Sequence, residues 1–232
     1  MNTSYCFHTP AQVFEEAFPL GNGKTGAMVY GGTQKERISL NSDTVWSGHY
    51  ERILPQEGAY ENWIQSRKQA AEGNYQRIED LLARGFIQGN TQKYLPVGNM
   101  NLRFDHALAE NYRRTLNLET GVAEITYTYD NKTYKRTCFV SAKQDCVVVN
   151  ISCSEPGAVS LQVSLETPLR LLENRAEDEL LELYGLCPYD YERTGSPSEP
   201  EYLYSGKEGN GVRYSVCVKP VVKNGTCRAA GP

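Results

Sequence analysis

Five polar or aromatic residues near the start of the chain have side chains suited to binding a carbohydrate. Asn22 lies within a glycine-rich segment, and Asn41, Asp43, Thr44 and Trp46 lie close together further along. Amide and carboxylate groups hydrogen-bond sugar hydroxyls, while an indole ring provides a flat apolar surface on which a sugar ring can stack. The alternative is a structural role in which the Asn and Asp side chains bind backbone donors of their own loop, as such residues more commonly do.

Other candidate chemistries lack the residues that they need. His8, His49 and His106 have no serine or cysteine motif beside them, so we interpret them as surface or packing histidines rather than catalytic bases. Gly23-Lys24-Thr25 resembles the end of a phosphate-binding loop, but Phe18 stands where that loop requires a glycine, and no helical pattern follows. Neither the cysteines nor the acidic residues have the spacing of a metal site, so we predict no metal and no cofactor.

The elements that must position the candidate residues are mostly strands. Residues 27–30 and 37–40 predict two strands joined by a turn at Gly31-Gly32, followed by a polar loop that ends on Trp46. Residues 124–129 alternate between polar and apolar, and Asp130-Asn131 supplies a two-residue hairpin turn before the next strand. Residues 146–152 are mostly valine and isoleucine, which is typical of a strand buried on both faces. Successive strands with short turns predict an all-β, antiparallel sandwich.

One segment departs from the strand pattern. Apolar residues recur at helical spacing within about residues 56–84, with Gly73 between two such runs. Glycine commonly ends a helix because it adopts a left-handed backbone conformation without strain. We therefore predict a short helical hairpin inserted between strands of the sandwich.

Composition excludes several classes of partner. The net charge of −4 provides no basic field for nucleic acid, and no apolar run reaches the length of a membrane span. The N-terminus lacks the basic and apolar segments of a signal peptide. The seven cysteines are odd in number and lack Cys-x-x-Cys spacing, which favours reduced thiols over a disulfide framework. We therefore expect a cytoplasmic protein with neither a nucleic-acid nor a membrane partner.

Several motifs, taken in order, resemble the N-terminal domain of one enzyme family. They are PLGNGKTGAMVYGG from Pro19, ERISLNSDTVWSG from Glu36, YLPVGNMNLRF from Tyr94, NYRRTLNLETGV from Asn111 and GKEGNGVRY from Gly206. Together they extend over nearly the whole chain and resemble glycoside hydrolase family 95, which contains α-L-fucosidases and α-L-galactosidases. The resemblance implies that residues 1–232 form a single β-super-sandwich domain with the helical segment inserted in it.

The same resemblance implies that catalysis belongs to another part of the enzyme. Enzymes of this family hold their catalytic groups in a helical (α/α)6 barrel that follows the N-terminal domain, and no part of this sequence resembles that barrel. We therefore expect no catalytic residue in this chain and no activity from it alone. The expected role is to brace the barrel, with Asn22, Asn41, Asp43, Thr44 and Trp46 at the barrel interface or at the rim of the active site.

Two expectations concern the extent and the partners of the chain. Resembling domains continue their sheet beyond the last residues of this sequence, so we expect the chain to be truncated before its last strand. The expected partner is the helical barrel, in the same polypeptide or as a separate one, and a fucosylated glycan is the expected ligand. The alternative function is that of a stand-alone carbohydrate-binding module for fucosylated glycans.

Overall fold

The computed structural model describes residues 3–48, 54–86, 92–177, 179–192, 201–207 and 209–229. The chain divides into two compact units, one formed by residues 1–48 and 93–232 and the other by residues 49–92. The first unit consists mainly of strands, and the second contains two helices. The helical segment predicted from the sequence therefore coincides with the second unit.

The strand unit is antiparallel throughout its described residues. In chain order its strands are β1 (Ser4–Phe7), β2 (Phe18–Gly21), β3 (Thr25–Val29), β4 (Lys35–Ser42), β5 (Gly98–Arg103), β6 (Glu110–Asn117), β7 (Val122–Tyr129), β8 (Lys132–Ser141), β9 (Cys146–Cys153), β10 (Gln162–Glu166), β11 (Arg170–Glu177), β12 (Leu180–Leu186), β13 (Asp190–Glu192), β14 (Glu201–Leu203) and β15 (Arg213–Val218). A short 3-10 helix, Phe14–Glu16, precedes β2. The all-β, antiparallel fold predicted from the sequence is confirmed.

The strands of the described residues form four sheets. The first sheet has the order β1-β6-β7-β8-β9, and the second has the order β10-β5-β4-β3-β2. The third sheet consists of β11-β12-β15, and β13 and β14 form a two-stranded ribbon. The candidate residues from Asn41 to Trp46 belong to the end of β4 and the loop after it, so the second sheet positions them.

The first two sheets contribute side chains to one apolar core. Val29, Ile38 and Leu102 of the second sheet join Ile125 of the first, and each is no more than 3% exposed. Neighbouring residues on a strand point to opposite faces, so every second residue of these strands enters the core. Removing such apolar surface from water contributes about 25 cal/mol per Å², which makes this core the main source of the stability of the strand unit.

A buried ion pair lies within the same core. Glu36 of β4 and Arg136 of β8 are each 1% exposed, and the guanidinium Nη1 donates to the carboxylate Oε2. The Glu36 carboxylate also accepts hydrogen bonds from the backbone N–H groups of Tyr30 (3.1 Å) and Gly31 (2.9 Å), while Arg136 Nη2 donates to the Gly32 carbonyl at 2.9 Å. Burial raises the pKa of Glu36, and Arg136 and the two backbone donors oppose that rise. The pair therefore links the two sheets and fixes the chain between β3 and β4.

Two turns follow the sequence prediction. The β3–β4 hairpin pairs Val29 with Ile38, and Gly31 between the two strands has a φ of 82°. The β7–β8 hairpin turns at Asp130 and Asn131, whose φ values are 51° and 57°. Positive φ at both central residues is the requirement of the two-residue turn that matches the twist of a hairpin. The predicted strand–turn–strand pattern is confirmed at both places.

Strand β9 differs from the prediction. It pairs with β8 at the edge of the first sheet, and none of its residues is fully buried, so it is not covered on both faces as its run of valines suggested. Val147 and Val149 are half-buried against the core, while Cys146 is exposed. A run of β-branched residues favours a strand, but it does not determine how many layers cover that strand.

The helical unit is a hairpin of two helices, α1 (Ala59–Ala71) and α2 (Tyr75–Phe86). Gly73 lies between them with a φ of 74°, as predicted for a glycine that ends a helix. A side chain at Gly85 of α2 would meet the Cα of Ala59 at 3.1 Å, so glycine permits the close approach of the two helices. Neither helix is long and apolar enough to cross a membrane, and the same holds for every helix in the described residues.

Candidate functional site

The loop after β4 is held from two sides. On one side, Gly26 and Thr25 of β3 pair with Asn41 and Ser42, and the backbone N–H of Asp43 donates to the Lys24 carbonyl at 2.9 Å. On the other side, the segment after residue 92 runs alongside the loop. These contacts fix the backbone of the loop relative to the second sheet.

The second anchor of the loop is formed by a segment distant in sequence. Leu95 N–H donates to the Val45 carbonyl at 2.9 Å, and Ser47 N–H donates to the Lys93 carbonyl at 2.8 Å. The Val45 side chain is 2% exposed and packs with Leu95 and Val97 in a small apolar cluster. Because Val45 points inward, its neighbours Thr44 and Trp46 are directed to the surface, where both are exposed.

Trp46 and Tyr94 form an exposed aromatic pair beside this anchor. Their ring centroids are 5.1 Å apart with an interplanar angle of 43°, and their backbones form an isolated antiparallel bridge. Trp46 remains 42% exposed and Tyr94 48% exposed. The indole N–H donates to the Asp43 carbonyl at 2.8 Å, which fixes the ring while leaving much of it open to solvent. We name Trp46 and Tyr94 the aromatic pair.

The polar residues of the loop divide into two groups. Asn41 Oδ1 accepts a hydrogen bond from Ser42 N–H at 2.7 Å, and Thr44 Oγ1 lies 3.0 Å from Ser42 Oγ. These contacts support the structural role that the sequence left open for Asn41 and Thr44. The exposed Asp43 carboxylate has no hydrogen-bond or ion-pair partner within the described part of the chain. Asp43 and the aromatic pair are therefore the groups of this loop that remain available to a ligand or another domain.

Asn22 has a different environment from the other four candidates. Its Oδ1 accepts from the backbone N–H groups of Lys24 (2.9 Å) and Thr25 (2.8 Å), and its Nδ2 donates to the Ser141 carbonyl (3.0 Å) and Asp145 Oδ1 (2.8 Å). A side-chain amide has two donor hydrogens and two acceptor lone pairs, so all four positions are used. The amide closes the β2–β3 turn and ties it to the β8–β9 turn.

Two residues of this region were not among the sequence candidates. Asp145 accepts from Asn22 and from Thr25 Oγ1 (2.9 Å), and these hydrogen bonds hold the pKa of its carboxyl below the ordinary value. Tyr94 completes the aromatic pair. Both lie far along the chain from the residues that they contact, so local spacing gave no signal for either.

The described histidines have no arrangement suited to catalysis. His106 is 5% exposed, its Nδ1 lies 2.8 Å from the Tyr127 hydroxyl, and its ring stacks on Phe104 at 5.2 Å. Burial, followed by the nearby Arg136 charge, lowers the pKa of His106 below its ordinary value. His106 is therefore a packing residue, while His8 is exposed and His49 lies outside the described residues.

No group of three or more His, Cys, Asp or Glu side chains in the described residues is arranged to hold a metal ion. All seven cysteines are free thiols. Burial raises the pKa of Cys138 to about 12 and that of Cys187 to about 11, so both remain protonated and unreactive at neutral pH. The chemistry that the site can perform is thus recognition by the aromatic pair and the Asp43 carboxylate.

A comparison of the sequence with protein-family models identifies the family to which this chain belongs. A family model described as "Glycosyl hydrolase family 65, N-terminal domain" matches residues 6–232. The chain belongs to this family. It is therefore a glycoside hydrolase N-terminal domain, and the resemblance found in the sequence is confirmed at that level.

Curated relatives of this N-terminal domain are fucosidases by name. It is 32% identical over 168 residues to "Alpha-L-fucosidase 2" of Arabidopsis thaliana, a match that covers 70% of this chain and 20% of the relative. It is 26% identical over 143 residues to "Probable alpha-fucosidase A" of Aspergillus niger (59% and 18%) and over 135 residues to the protein of that name from Aspergillus oryzae (54% and 18%). The matched region thus spans about a fifth of the length of these relatives.

Proposed function

We propose that this chain is the N-terminal β-sandwich domain of a family 95-like α-L-fucosidase, where it braces a catalytic helical barrel. The family model that matches the sequence is described as glycosyl hydrolase family 65. Three relatives, however, are named as fucosidases, and the sequence motifs resemble family 95. Those names and motifs support family 95 within the broader class of glycoside hydrolase N-terminal domains.

The observation that carries the proposal is the fixed but exposed aromatic pair. Trp46 and Tyr94 are held by backbone contacts on both sides of the loop, yet they remain 42% and 48% exposed. Large aromatic side chains contribute strongly to interfaces, where each can bury about 150–250 Å². A rigid loop that presents such rings is suited to contact a neighbouring domain or a sugar at the rim of its active site.

Catalysis is assigned to groups outside this chain. An inverting glycosidase needs two carboxyl groups separated by about 6.5–9.5 Å, one to protonate the leaving oxygen and one to activate water. Asp43 is the acidic residue of the β4 loop, and no second acidic side chain lies between Asn41 and Gly48. The loop therefore supplies contacts and not a catalytic pair.

Hydrolysis of 2′-fucosyllactose tests the proposal. We expect no turnover by the 232-residue chain alone and turnover when the chain is joined to the helical barrel of a fucosidase. In the joined protein, Trp46→Ala should raise KM or lower the midpoint of thermal unfolding. Tyr5→Ala is the matched control, because Tyr5 is 57% exposed and lies on β1, in a different sheet from β4. Enzyme-like turnover by the chain alone would refute the proposal.

A stand-alone carbohydrate-binding module is the second candidate. It is favoured by the solvent exposure of the aromatic pair and by the Asp43 carboxylate of the same loop, which has no partner among the residues that the structure describes. This function predicts saturable binding of L-fucose or 2′-fucosyllactose, which is lost in Trp46→Ala. Calorimetry that detects no heat of binding at millimolar sugar concentrations would rule it out.

A further inference from the structure

The outward face of the second sheet contains a cluster of three cations. Lys35 and Arg37 lie on β4, and the register pairs Lys35 with Arg103 of β5. All three are exposed, whereas the intervening residues Glu36 and Leu102 are 1% and 3% exposed. Strand alternation therefore directs the three cationic side chains to the face opposite the core. We name these three residues the basic cluster.

The basic cluster lines an open depression of about 200 Å³ together with Asn101 and Ser164. Asn101 is paired with Arg37 on one side and with Ser164 on the other, so the polar side chains come from three adjacent strands. Glu36 also borders this depression, but its carboxylate is buried in the core and bound to Arg136. An amide and a hydroxyl thus stand beside the three cations.

The charges of the basic cluster are not neutralised within the described residues. None of its three side chains has a carboxylate within ion-pair distance there. Other strand cations differ, since Lys135 and Arg175 each lie 2.6 Å from a glutamate oxygen. Like charges placed directly opposite each other on a sheet are destabilising. An anion bound between them would remove that repulsion.

Arg37 is held in a defined position. Its guanidinium carbon lies 3.9 Å from the centroid of the Tyr30 ring, a cation–π contact that orients the planar group. A second hollow of about 370 Å³, which extends along Gln12 and Tyr30, also borders Lys35 and Arg37. Lys35 and Arg37 therefore border both hollows, which together have room for a ligand larger than a single anionic group.

We propose that this depression binds an acidic saccharide, with the carboxylate or sulfate group on the basic cluster. Guanidinium groups bind such anions through paired charge-assisted hydrogen bonds. Asn101 and Ser164 can bond to the ring hydroxyls beside the anionic group, because an amide and a hydroxyl both donate and accept. The choice of a saccharide rests on the proposed function, whereas the choice of an anion rests on three cations that have no carboxylate partner in the described part of the chain.

Calorimetry with D-glucuronate, D-glucose 6-sulfate and uncharged D-glucose tests the proposal at low ionic strength. We expect the two acidic sugars to bind and D-glucose not to bind. Arg103→Gln should weaken the binding about tenfold, since a hydrogen bond to a charged group contributes at least that factor. Lys35→Gln should weaken it in the same direction.

Two exposed cations outside the depression provide matched controls. Arg228→Gln and Lys219→Gln remove the same charge from the chain, and both are expected to leave the binding unchanged. The urea midpoint of each variant verifies that it folds. Equal weakening in site and control variants would show only a general charge effect and would overturn the proposal.

Two further probes separate the possible ligands. If inorganic sulfate binds at the basic cluster while D-glucuronate and D-glucose 6-sulfate do not, the saccharide assignment is wrong. If a triglutamate peptide binds there and the acidic sugars do not, the face belongs to a protein partner and the proposal is again wrong. Neither result affects fucoside hydrolysis by the joined protein, so failure here is distinguishable from failure of the proposed function.

Discussion

Replacing Arg136 with methionine tests whether the buried ion pair is essential to the sandwich. Methionine has a similar length but neither charge nor donors, so the variant leaves the Glu36 carboxylate in the core with two backbone donors and no cation. It also leaves the Gly32 carbonyl without its guanidinium donor. The perturbation therefore combines an uncompensated charge with an unsatisfied acceptor.

The magnitude follows from the burial of the pair. Both side chains are no more than 1% exposed, and removal of one partner from a buried pair costs about 3–5 kcal/mol. Domains are usually stable by about 5–15 kcal/mol, so Arg136→Met removes a large part of the total. The double variant Arg136→Met/Glu36→Gln removes the stranded charge and keeps an acceptor for the two backbone donors. We therefore expect the double variant to recover about 2 kcal/mol of the loss, the remaining cost being the unsatisfied Gly32 carbonyl.

Urea unfolding at pH 7, followed by circular dichroism, measures these differences. The matched control is Lys135→Met on the same strand, whose ion pair with Glu124 is 2.6 Å long but has side chains 50% and 37% exposed. Exposed pairs contribute about 0–1 kcal/mol, so the control should change the urea midpoint little. If Arg136→Met costs no more than Lys135→Met, or if the double variant is less stable than the single one, the reasoning about the buried charge is wrong.

Three further predictions concern the turns and the buried histidine. Asn22→Ala should lower the free energy of unfolding of the strand unit by about 1–3 kcal/mol, because the turn loses the acceptor of two backbone N–H groups. In urea unfolding, an effect no larger than that of Asn174→Ala, at an exposed position of β11, would contradict this. Gly31→Ala should lower the free energy of unfolding of the strand unit by about 1–3 kcal/mol or more, because Gly31 has a φ of 82° and an added Cβ would overlap the Tyr112 hydroxyl. If the variant unfolds thermally at the same midpoint as the wild type, this reasoning about strain is wrong. Folding lowers the pKa of His106 below the value of about 6.5 that it has in the unfolded chain. Between the two pKa values the unfolded state binds more protons than the folded state, so the free energy of unfolding decreases as the pH falls through that interval. His106→Gln should remove this part of the pH dependence of the urea midpoint, and an unchanged slope between pH 7 and pH 5 would refute the assignment.

Local sequence features predicted most of the secondary structure. The alternation of residues 124–129 and the Asp130-Asn131 turn determine the β7–β8 hairpin, because side-chain period and positive φ act over a few residues. Helical spacing on both sides of Gly73 identified the hairpin of α1 and α2 for the same reason. The burial of β9 was predicted wrongly, since coverage of a strand depends on neighbours that its own residues do not specify.

The candidate site could be predicted only in part. The loop residues, including Trp46, were identified from residue type. Residue type could not show that the Asn41 side chain bonds to the backbone of its own loop, whereas the Asp43 carboxylate has no partner in the described residues. Asn22 illustrates the same limit. An asparagine in a glycine turn is suited to bind either a ligand or the chain itself, and its four hydrogen bonds became visible only with the Asp145 turn in place.

The sequence by itself determined an antiparallel strand protein with a helical insertion and the motifs of a glycoside hydrolase N-terminal domain. Only the tertiary structure brings Glu36 into contact with Arg136 and Trp46 into contact with Tyr94. It also places Lys35, Arg37 and Arg103 together on one face of a sheet. The physical reason is sequence separation. Glu36 and Arg136 are 100 residues apart and Asn22 and Asp145 are 123 apart, so their contacts depend on sheet register and packing rather than on local conformational preference.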